Sequence, residues 1–588
     1  MEDLRLISNN CFKCKNAECI NDCPIHNNIP KILSLYNNEQ YLDAYNELIN
    51  NNPLFFLCGL TCDHHKNCGK NCLYKKVHNE RIKFELIEED LYKRFNINYH
   101  FGEITKDKVA VIGSGPAGLM AAILFRKSGY DVTLFEKEKE VGGVLKYLIP
   151  DFRFDKFKLD NLYLKLKDFI DFKFAKEFGV DFDYNDLKEF KHVIFAMGTP
   201  NGVRELKNNN VINGLDLLNK NNDLNISFKG KKVAVLGLGN VAVDCARTLK
   251  RMDADVSIIY RRTIANSKAS LEELEILNNE QIPIQELLSC VSYANGVAKF
   301  QKMKLSEKLI DGRHPFIKLN EFVDFKFDYL VEAYGSKPNI EYFKKQLPFK
   351  DYCLNGYVNV NNLGNTYFIG DYYLGASSIV KTISYTKNLV MRIINNDIMI
   401  DAIKVKCNNL PIYYGGSFNP ITKAHKQIYL FLKAYLNNDI IIVPNGDLYP
   451  TKELLQFSDR IELINACLNY PIINKSLNDK QFNGTVSMLR SLNHPLFVMG
   501  SDSLKTITSW INYQDLIKEN HFIVFKRSND DVRKIILENE LLNKYHDHFF
   551  IIDLDILDLS ATLYRHNKDI SVICESVKNI IEEKHFYE

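Results

Sequence analysis

The stretch from Lys108 to Gly143, KVAVIGSGPAGLMAAILFRKSGYDVTLFEKEKEVGG, constrains this chain more than any other. VAVIG reads as a buried parallel strand, and Gly113, Gly115 and Gly118 then give G-x-G-x-x-G. AGLMAAILFRKSG continues as a helix, and a second strand, DVTLFE, ends in Glu136. The first glycine permits a tight turn, the second lets backbone approach a pyrophosphate, and the third lets helix and strand pack closely. The helix N-terminus then faces the phosphates and Glu136 can bind a ribose hydroxyl. Strand, turn, helix and acid together predict a dinucleotide-binding βαβ unit.

A chain of 588 residues is too long for one core, and about three or four domains are expected. A formal net charge of +2 gives no argument for nucleic acid or an anionic membrane. No apolar run approaches the ~20 residues that cross a bilayer, and MEDLRLISNN is too polar for a signal peptide. A cytoplasmic location is expected.

Eight of the 14 cysteines lie between Cys11 and Cys72. Cys11, Cys14, Cys19 and Cys23-Pro24 form C-x2-C-x4-C-x3-C-P, and Cys58, Cys62, Cys68 and Cys72 follow. In a reducing compartment such runs are metal sites more often than disulfides. Zinc usually takes its four ligands as two pairs. One run of four thiols with a proline after the last resembles ferredoxin-like runs, in which the fourth cysteine often serves the other cluster. Iron–sulfur is the leading reading, with zinc and a disulfide framework as alternatives.

A second dinucleotide unit begins at KKVAVLGLGNVAVDCARTLKRMDADVSIIYRR, where Gly237, Gly239 and Ala242 form G-x-G-x-x-A. Its second strand ends not in an acid but in Tyr260, Arg261 and Arg262. Two guanidiniums suit a 2′-phosphate that a carboxylate would repel, which favours NADPH over NADH. A solvated basic turn is the alternative. Cys245 stands alone in a helix, so this lobe has no C-x-x-C redox disulfide.

Taken in order, these motifs resemble the small subunit of bacterial glutamate synthase and the N-terminal half of dihydropyrimidine dehydrogenase, over about residues 5–395. The resemblance implies two [4Fe-4S] clusters in a helical head. One would use Cys11, Cys14, Cys19 and Cys72. The other would use Cys23, Cys62, Cys68 and Glu88, with Cys58 a non-ligand. VLKYLIPDFRFDK is similar to the family's GG-x-L-x-Y-G-I-P-x-F-R segment, in which Gly142 and Gly143 approach the flavin pyrophosphate; Leu148 replaces a usual glycine. HVIFAMGTP and VEAYGSKPN resemble the two crossovers between lobes, and YFIGDYYLGASSIVKTISYTKNL resembles the closing FAD motif. There Gly370-Asp371 would place a carboxylate on the ribityl chain, while Gly375 and Ala376 let the next helix aim its N-terminus at the flavin. The implied domains are a head at 1–100, an FAD-binding domain at 101–230 and 334–398, and an NADPH lobe at 231–333. Nothing resembles the glutamate-forming parts of glutamate synthase, so electrons from NADPH would pass through FAD and the clusters to a large partner subunit or another acceptor.

After a linker at 399–410 the pattern restarts with LPIYYGGSFNPITKAHKQIYLFLKAYL. This resembles the nucleotidyltransferase signature G-x-F-x-P-x-H-x-x-H, and residues 411–588 are similar to nicotinate or nicotinamide mononucleotide adenylyltransferases. Thr422 stands at the first histidine and His425 at the second. By the resemblance Gly415, Gly416, Ser417, Phe418 and Asn419 form the nucleotide loop, and Lys452 and Arg460 fill the family's Lys and Arg positions. Gly500, Asp502 and Trp510 match G-x-D…W; this only tryptophan would stack on the pyridine ring, a buried core tryptophan being the alternative. Ser560, Thr562 and Arg565 in LSATLYR would hold the ATP triphosphate. The implied chemistry is in-line attack of the mononucleotide phosphate on the α-phosphorus of ATP. His425, Lys452, Arg565 and Mg²⁺ would stabilise the spreading charge.

The expected whole is multidomain: a helical iron–sulfur head, two Rossmann-like dinucleotide-binding domains with the NADPH lobe inserted in the FAD domain, and a C-terminal Rossmann-like nucleotidyltransferase. Its expected ligands are FAD, NADPH, two [4Fe-4S] clusters, ATP, Mg²⁺ and a mononucleotide, with no nucleic acid or membrane partner. Two other readings stay open: an active transferase whose flavin part senses the redox state, and an active oxidoreductase with a non-catalytic tail.

Overall fold

The computed structural model describes residues 4–222, 224–307, 314–346, 349–354, 356–407, 410–447, 454–476, 484–527 and 530–587. They fall into two compact units: Met1–Phe190, Ile194–Ile340 and Ile369–Lys387 in the first, Lys191–Val193, Glu341–Phe368 and Asn388–Glu588 in the second.

The first unit opens with short helices from Leu4–Asn9 to Phe84–Phe95. Apolar residues three or four apart define their inner faces. Ile29–Asn37 buries Ile29, Ile32, Leu33 and Tyr36, and Tyr41–Asn51 buries Ala44, Tyr45, Leu48 and Ile49. Phe84–Phe95 buries Phe84, Ile87 and Leu91 on the same stripe as Glu88, so a carboxylate stands where the pattern calls for an apolar side chain.

Two parallel sheets follow. Lys108–Ile112 pairs with Asp131–Phe135, and that strand with Asp171–Lys173; helix Pro116–Lys127 makes the first crossover. The second sheet runs Val211–Asn213, Tyr329–Glu332, Lys232–Leu236, Asp255–Tyr260, Ile284–Glu286, all parallel. Between its last two strands in sequence the chain makes an antiparallel meander of Leu288–Ala294, Val297–Leu305 and Phe316–Lys326.

Helix Ile379–Cys407 carries the chain from the first unit into the second. The second unit is built on a parallel sheet ordered Ile472–Ile473, Ile440–Pro444, Ile412–Gly416, Leu496–Gly500, Phe522–Phe525, Phe549–Ile552. Apolar clusters cover both faces, as a parallel sheet requires. Strand order reverses between Ile412–Gly416 and Leu496–Gly500, and a doubly wound sheet opens its ligand crevice at such a point, beyond the carboxyl ends of the strands. Lys191–Val193 joins this unit through His192, whose Nδ1 lies 2.7 Å from the Tyr435 hydroxyl and Nε2 2.8 Å from Asp397 Oδ2. Glu341–Phe368 joins it through the Asp351–Lys426 ion pair at 2.7 Å. Among the described residues no helix is long and apolar enough to cross a membrane.

Candidate functional sites

The cysteines of the head gather around two cavities. Cys11, Cys14, Cys19 and Cys72 line one of about 200 Å³, beside Phe12 and Leu73. Cys23, Cys58, Cys62 and Glu88 line a smaller one, and Cys68 borders both. Burial pushes the Cys19 thiol up to about 12, and the neighbouring Cys11, Cys72 and Cys14 add to it. Cys62 is pushed up to about 12, chiefly by burial, with Glu88 and Cys23 among its neighbours. Glu88 is 1% exposed and its Oε2 has no hydrogen-bond partner. Burial raises its carboxyl well above the ordinary range, and Glu85 adds to that. An orphaned buried carboxylate is costly unless a cation meets it, so this donor set fits the positively charged iron of a cluster. Among the described residues no three His, Cys, Asp or Glu side chains form a single-ion site; the thiols ring the cavities instead. Cys58 accepts from Asn52 Nδ2 at 3.3 Å.

The flavin-side turn is built by contacts only glycine allows. Gly113 has φ +102°, and a Cβ there would lie 2.6 Å from the Ala196 carbonyl oxygen; one on Gly118 would lie 1.8 Å from that of Gly113. Glu136 Oε2 accepts from Ser114 N at 2.8 Å and from its hydroxyl at 2.5 Å, while Oε1 accepts from Glu138 N at 2.9 Å. Gly142 N donates to the Ser114 carbonyl at 3.0 Å, which lays Gly142-Gly143 across this turn. Leu148 caps helix Val144–Tyr147. Gly370 precedes the short helix Asp371–Leu374, and Asp371 Oδ1 accepts from the Ser377 and Thr382 hydroxyls at 2.8 Å each. Burial raises the Asp371 carboxyl against those two hydrogen bonds. Ala376 is exposed just ahead of helix Ile379–Cys407.

On the nicotinamide side Gly237 repeats the device: a Cβ would lie 2.6 Å from the Ala333 carbonyl oxygen. Gly239 caps helix Asn240–Arg251 and Ala242 is fully buried within it. Arg261 and Arg262 follow strand Asp255–Tyr260 with their guanidinium carbons 4.7 and 5.3 Å from the Phe316 ring centre. Arg262 Nε is buried without a partner.

In the second unit the loop after Ile412–Gly416 runs through Ser417, Phe418 and Asn419 to Thr422, which caps helix Lys423–Tyr435. Thr422 Oγ1 lies 2.7 Å from His425 Nδ1, Thr422 N donates to the same atom at 3.1 Å, and His425 N donates back to Oγ1 at 3.4 Å. With Nδ1 accepting a backbone proton, the network assigns the imidazole proton to Nε2. Burial, and then Arg527, lower the His425 imidazole to about 3, although the residue as a whole is only half-buried. The resting imidazole is therefore neutral.

Across the switch point, Gly500 caps helix Ser501–Thr506, and a Cβ on it would lie 2.3 Å from Asp502 Oδ1 and 3.1 Å from Arg527 Nε. Gly415 and Gly416 face the Phe497 and Phe418 rings at 3.0 and 3.2 Å by the same measure. Arg565 donates to the Asn419 carbonyl and, at 3.1 Å, to Thr562 Oγ1; Ser560 caps their helix, Ala561–Asn567. Asn419 Oδ1 accepts from Tyr587 at 2.7 Å and from Leu455 N at 3.2 Å, which fixes the loop from the far end of the chain. Trp510 is half-buried against the apolar cluster that holds Met499 and Leu504. Arg460 is fully buried: Nε donates to Leu455 O at 2.8 Å, and its two NH₂ groups to Ser417 O at 3.1 Å and Asp447 Oδ1 at 2.9 Å. Its guanidinium props the loop after strand Ile412–Gly416. Lys452 lies outside the described residues.

Sequence reasoning missed Arg527. It stands just beyond strand Phe522–Phe525 with Nε 3.7 Å from Asp502 Oδ1, and it acts electrostatically on His425. A single basic residue after a core strand carries no spacing signature.

Three family models match this chain: pyridine nucleotide-disulphide oxidoreductase over 107–390, dihydropyrimidine dehydrogenase domain II with its 4Fe-4S cluster over 3–98, and cytidylyltransferase-like over 413–567. YgfK of Escherichia coli (strain K12) is 30% identical over 411 residues, 65% of this chain and 38% of its own length. The Glutamate synthase [NADPH] small chain of Mycobacterium tuberculosis (strain H37Rv) is 32% identical over 276 residues, 43% of this chain and 56% of its own. The corresponding Escherichia coli (strain K12) small chain is 27% identical over 368 residues, 57% of this chain and 77% of its own. This chain thus spans little more than a third of YgfK.

Proposed function

We propose that this chain, an oxidoreductase of the glutamate synthase small-chain type with a 4Fe-4S domain and a cytidylyltransferase-like domain, is a bifunctional enzyme. One activity oxidises NADPH through FAD and two [4Fe-4S] clusters. The other transfers the adenylyl group of ATP to nicotinate or nicotinamide mononucleotide, giving deamido-NAD or NAD and pyrophosphate.

For the first activity, bound FAD would supply two-electron acceptance with one-electron release, and bound clusters would supply one-electron carriers. Cys11, Cys14, Cys19 and Cys72 would hold one cluster; Cys23, Cys62, Cys68 and Glu88 the other. Arg261 and Arg262 receive the 2′-phosphate, and Glu136 and Asp371 bind sugar and ribityl hydroxyls of the flavin. The electrons leave to an acceptor on another chain, a large partner subunit or a separate protein. The observation that carries this reading is the division of the thiols between two cavities, with an unpartnered carboxylate oxygen among them.

For the second activity, the carrying observation is the neutral His425 held by Thr422 at the switch point of the sheet. Its Nε2–H donates to a phosphate oxygen as charge builds there, with no proton to lose at the start. Arg565 and Lys452 would add positive charge at the triphosphate, Mg²⁺ bound with ATP would supply further charge stabilisation there, and Arg460 keeps the loop rigid. Trp510 stacks on the pyridine ring. Full-length protein given ATP and mononucleotide should form dinucleotide and pyrophosphate one for one. NADPH oxidation without dinucleotide would leave the tail non-catalytic. A transfer rate equal with oxidised and reduced flavin would eliminate the redox-sensor reading.

A further inference from the structure

The segment Asp151–Phe154, read from sequence as part of the flavin side, grips the nicotinamide side. Arg153 Nη1 donates to both Asp244 oxygens at 2.8 Å, and its Nη2 donates to Glu273 Oε1 at 2.6 Å. Asp244 lies in helix Asn240–Arg251 and Glu273 in the first turn of helix Leu271–Asn279, where its other oxygen accepts from Ser270 N at 2.9 Å. One guanidinium thus bridges two carboxylates from two separate helices, with side-chain exposures of 6% and 11%. The neighbouring Phe152 ring has the Arg251 and Arg247 guanidinium carbons 3.9 and 4.6 Å from its centre, and both arginines are tied to Glu280 at about 3.0 Å. Asp151 pairs with Lys220.

The other end of this short segment is equally committed. Gly142-Gly143 lies across the flavin turn, with a Gly143 Cβ position only 3.0 Å from Gly115 Cα. A few residues therefore link the turn that receives the flavin pyrophosphate to the helix that begins at Gly237-x-Gly239-x-x-Ala242. The Arg153 donors are directed at protein carboxylates, so its influence on chemistry runs through the helix it holds. The forked, planar guanidinium fixes direction as well as distance in a way an ammonium cannot.

We infer that Arg153 is a positioning residue for hydride transfer, a clamp that sets the NADPH helix against the flavin turn. This rests on the reading that NADPH reduces the flavin. In that step the dihydronicotinamide loses a hydride, the oxidised flavin gains it, and no other reactant is needed. Because transfer needs close approach and alignment, loosening the clamp lowers the rate of the bound complex more than it lowers cofactor affinity.

The test is anaerobic stopped-flow reduction of the flavin in the full-length protein at saturating NADPH, for wild type, Arg153→Ala, Arg153→Lys and Phe152→Ala. FAD content and NADP⁺ affinity are measured on the same samples. The expected result for Arg153→Ala is a flavin-reduction rate about tenfold lower or less, with FAD content and NADP⁺ affinity within about twofold of wild type. Arg153→Lys recovers part of the rate, and Phe152→Ala, which strands no buried charge, slows it by a smaller factor. Unchanged reduction in Arg153→Ala and Phe152→Ala overturns the inference, as does a loss of rate that only follows loss of FAD. If Arg153→Ala does not fold, unchanged rates in the other two variants overturn it. Wild-type flavin that neither NADPH nor NADH bleaches overturns the inference and the oxidoreductase reading together.

Discussion

Thr422 and His425 close a reciprocal cap: the threonine hydroxyl lies 2.7 Å from Nδ1 of the imidazole, and the histidine backbone N–H donates to that hydroxyl at 3.4 Å. The resembled signature carries histidines at both positions; here the first is the threonine cap. On the proposed reading Thr422 orients His425, and His425 meets the phosphate. Replacing Thr422 by Ala should therefore lower adenylyl transfer by about tenfold or more while leaving NADPH oxidation alone, whereas His425→Ala should cost about 100-fold. Steady-state rates of both activities on one preparation decide it.

The imidazole also makes a prediction about pH. Its ordinary value near 6.5 falls to about 3 in the folded site, so between those limits the unfolded chain binds a proton that the folded one refuses. Stability of the second unit should fall as pH drops from about 6.5 towards 3. His425→Gln should flatten that part of the melting curve. From about pH 6 to 8 transfer should show no titration from this residue.

Glu88 and Cys58 both line the second cavity, with Cys23, Cys62 and Cys68. Glu88 has the unpartnered oxygen, and Cys58 is engaged with Asn52 at 3.3 Å. With two cubane clusters the intact chain should hold about eight iron atoms. Glu88→Ala should lower that towards about four or make half of it labile to chelators, and Cys58→Ala should leave it unchanged. Iron analysis of anaerobically purified protein checks both.

Arg261 and Arg262 stand at the end of the second dinucleotide strand, against Phe316. Changing both to Ala should weaken the preference for NADPH over NADH by about tenfold or more, through KM and not kcat. An unchanged coenzyme ratio would assign the pair to a solvated turn.

Arg460 is a structural prop for the loop after strand Ile412–Gly416. Its removal leaves Asp447 and two loop carbonyls without their donor and empties a fully buried position, which destabilises the second unit. Arg460→Ala should lower the melting temperature of that unit and abolish transfer while NADPH still bleaches the flavin. A differential scan alongside both assays tests it.

The dinucleotide turns were legible in sequence because geometry dictates them: at Gly113, Gly118 and Gly237 a Cβ would meet a carbonyl oxygen. The head was partly legible, since the cysteine spacing announces a metal but does not say which distant thiols meet. Pairing Cys72 with Cys11, Cys14 and Cys19 came from a family resemblance, and it is the fold of the helices that puts them round one cavity. Arg527 and the Arg153–Asp244 pair were illegible for a related reason. Both depend on contacts between segments far apart in the chain, where a lone arginine looks like any surface cation. Arg460 was legible as a position of the nucleotidyltransferase-like motif but its contacts were not, because burial decides whether a guanidinium faces solvent or backbone.

On the proposed reading one chain moves electrons from NADPH through flavin to iron and also carries a nucleotidyl-transfer site. An anaerobic NADPH titration of the protein, with iron and FAD quantified on the same sample, tests this. About eight irons per FAD are expected, with flavin absorbance that bleaches on addition of NADPH. Full FAD occupancy with no iron and no bleaching would contradict it, and would leave adenylyl transfer as the chemistry to be explained.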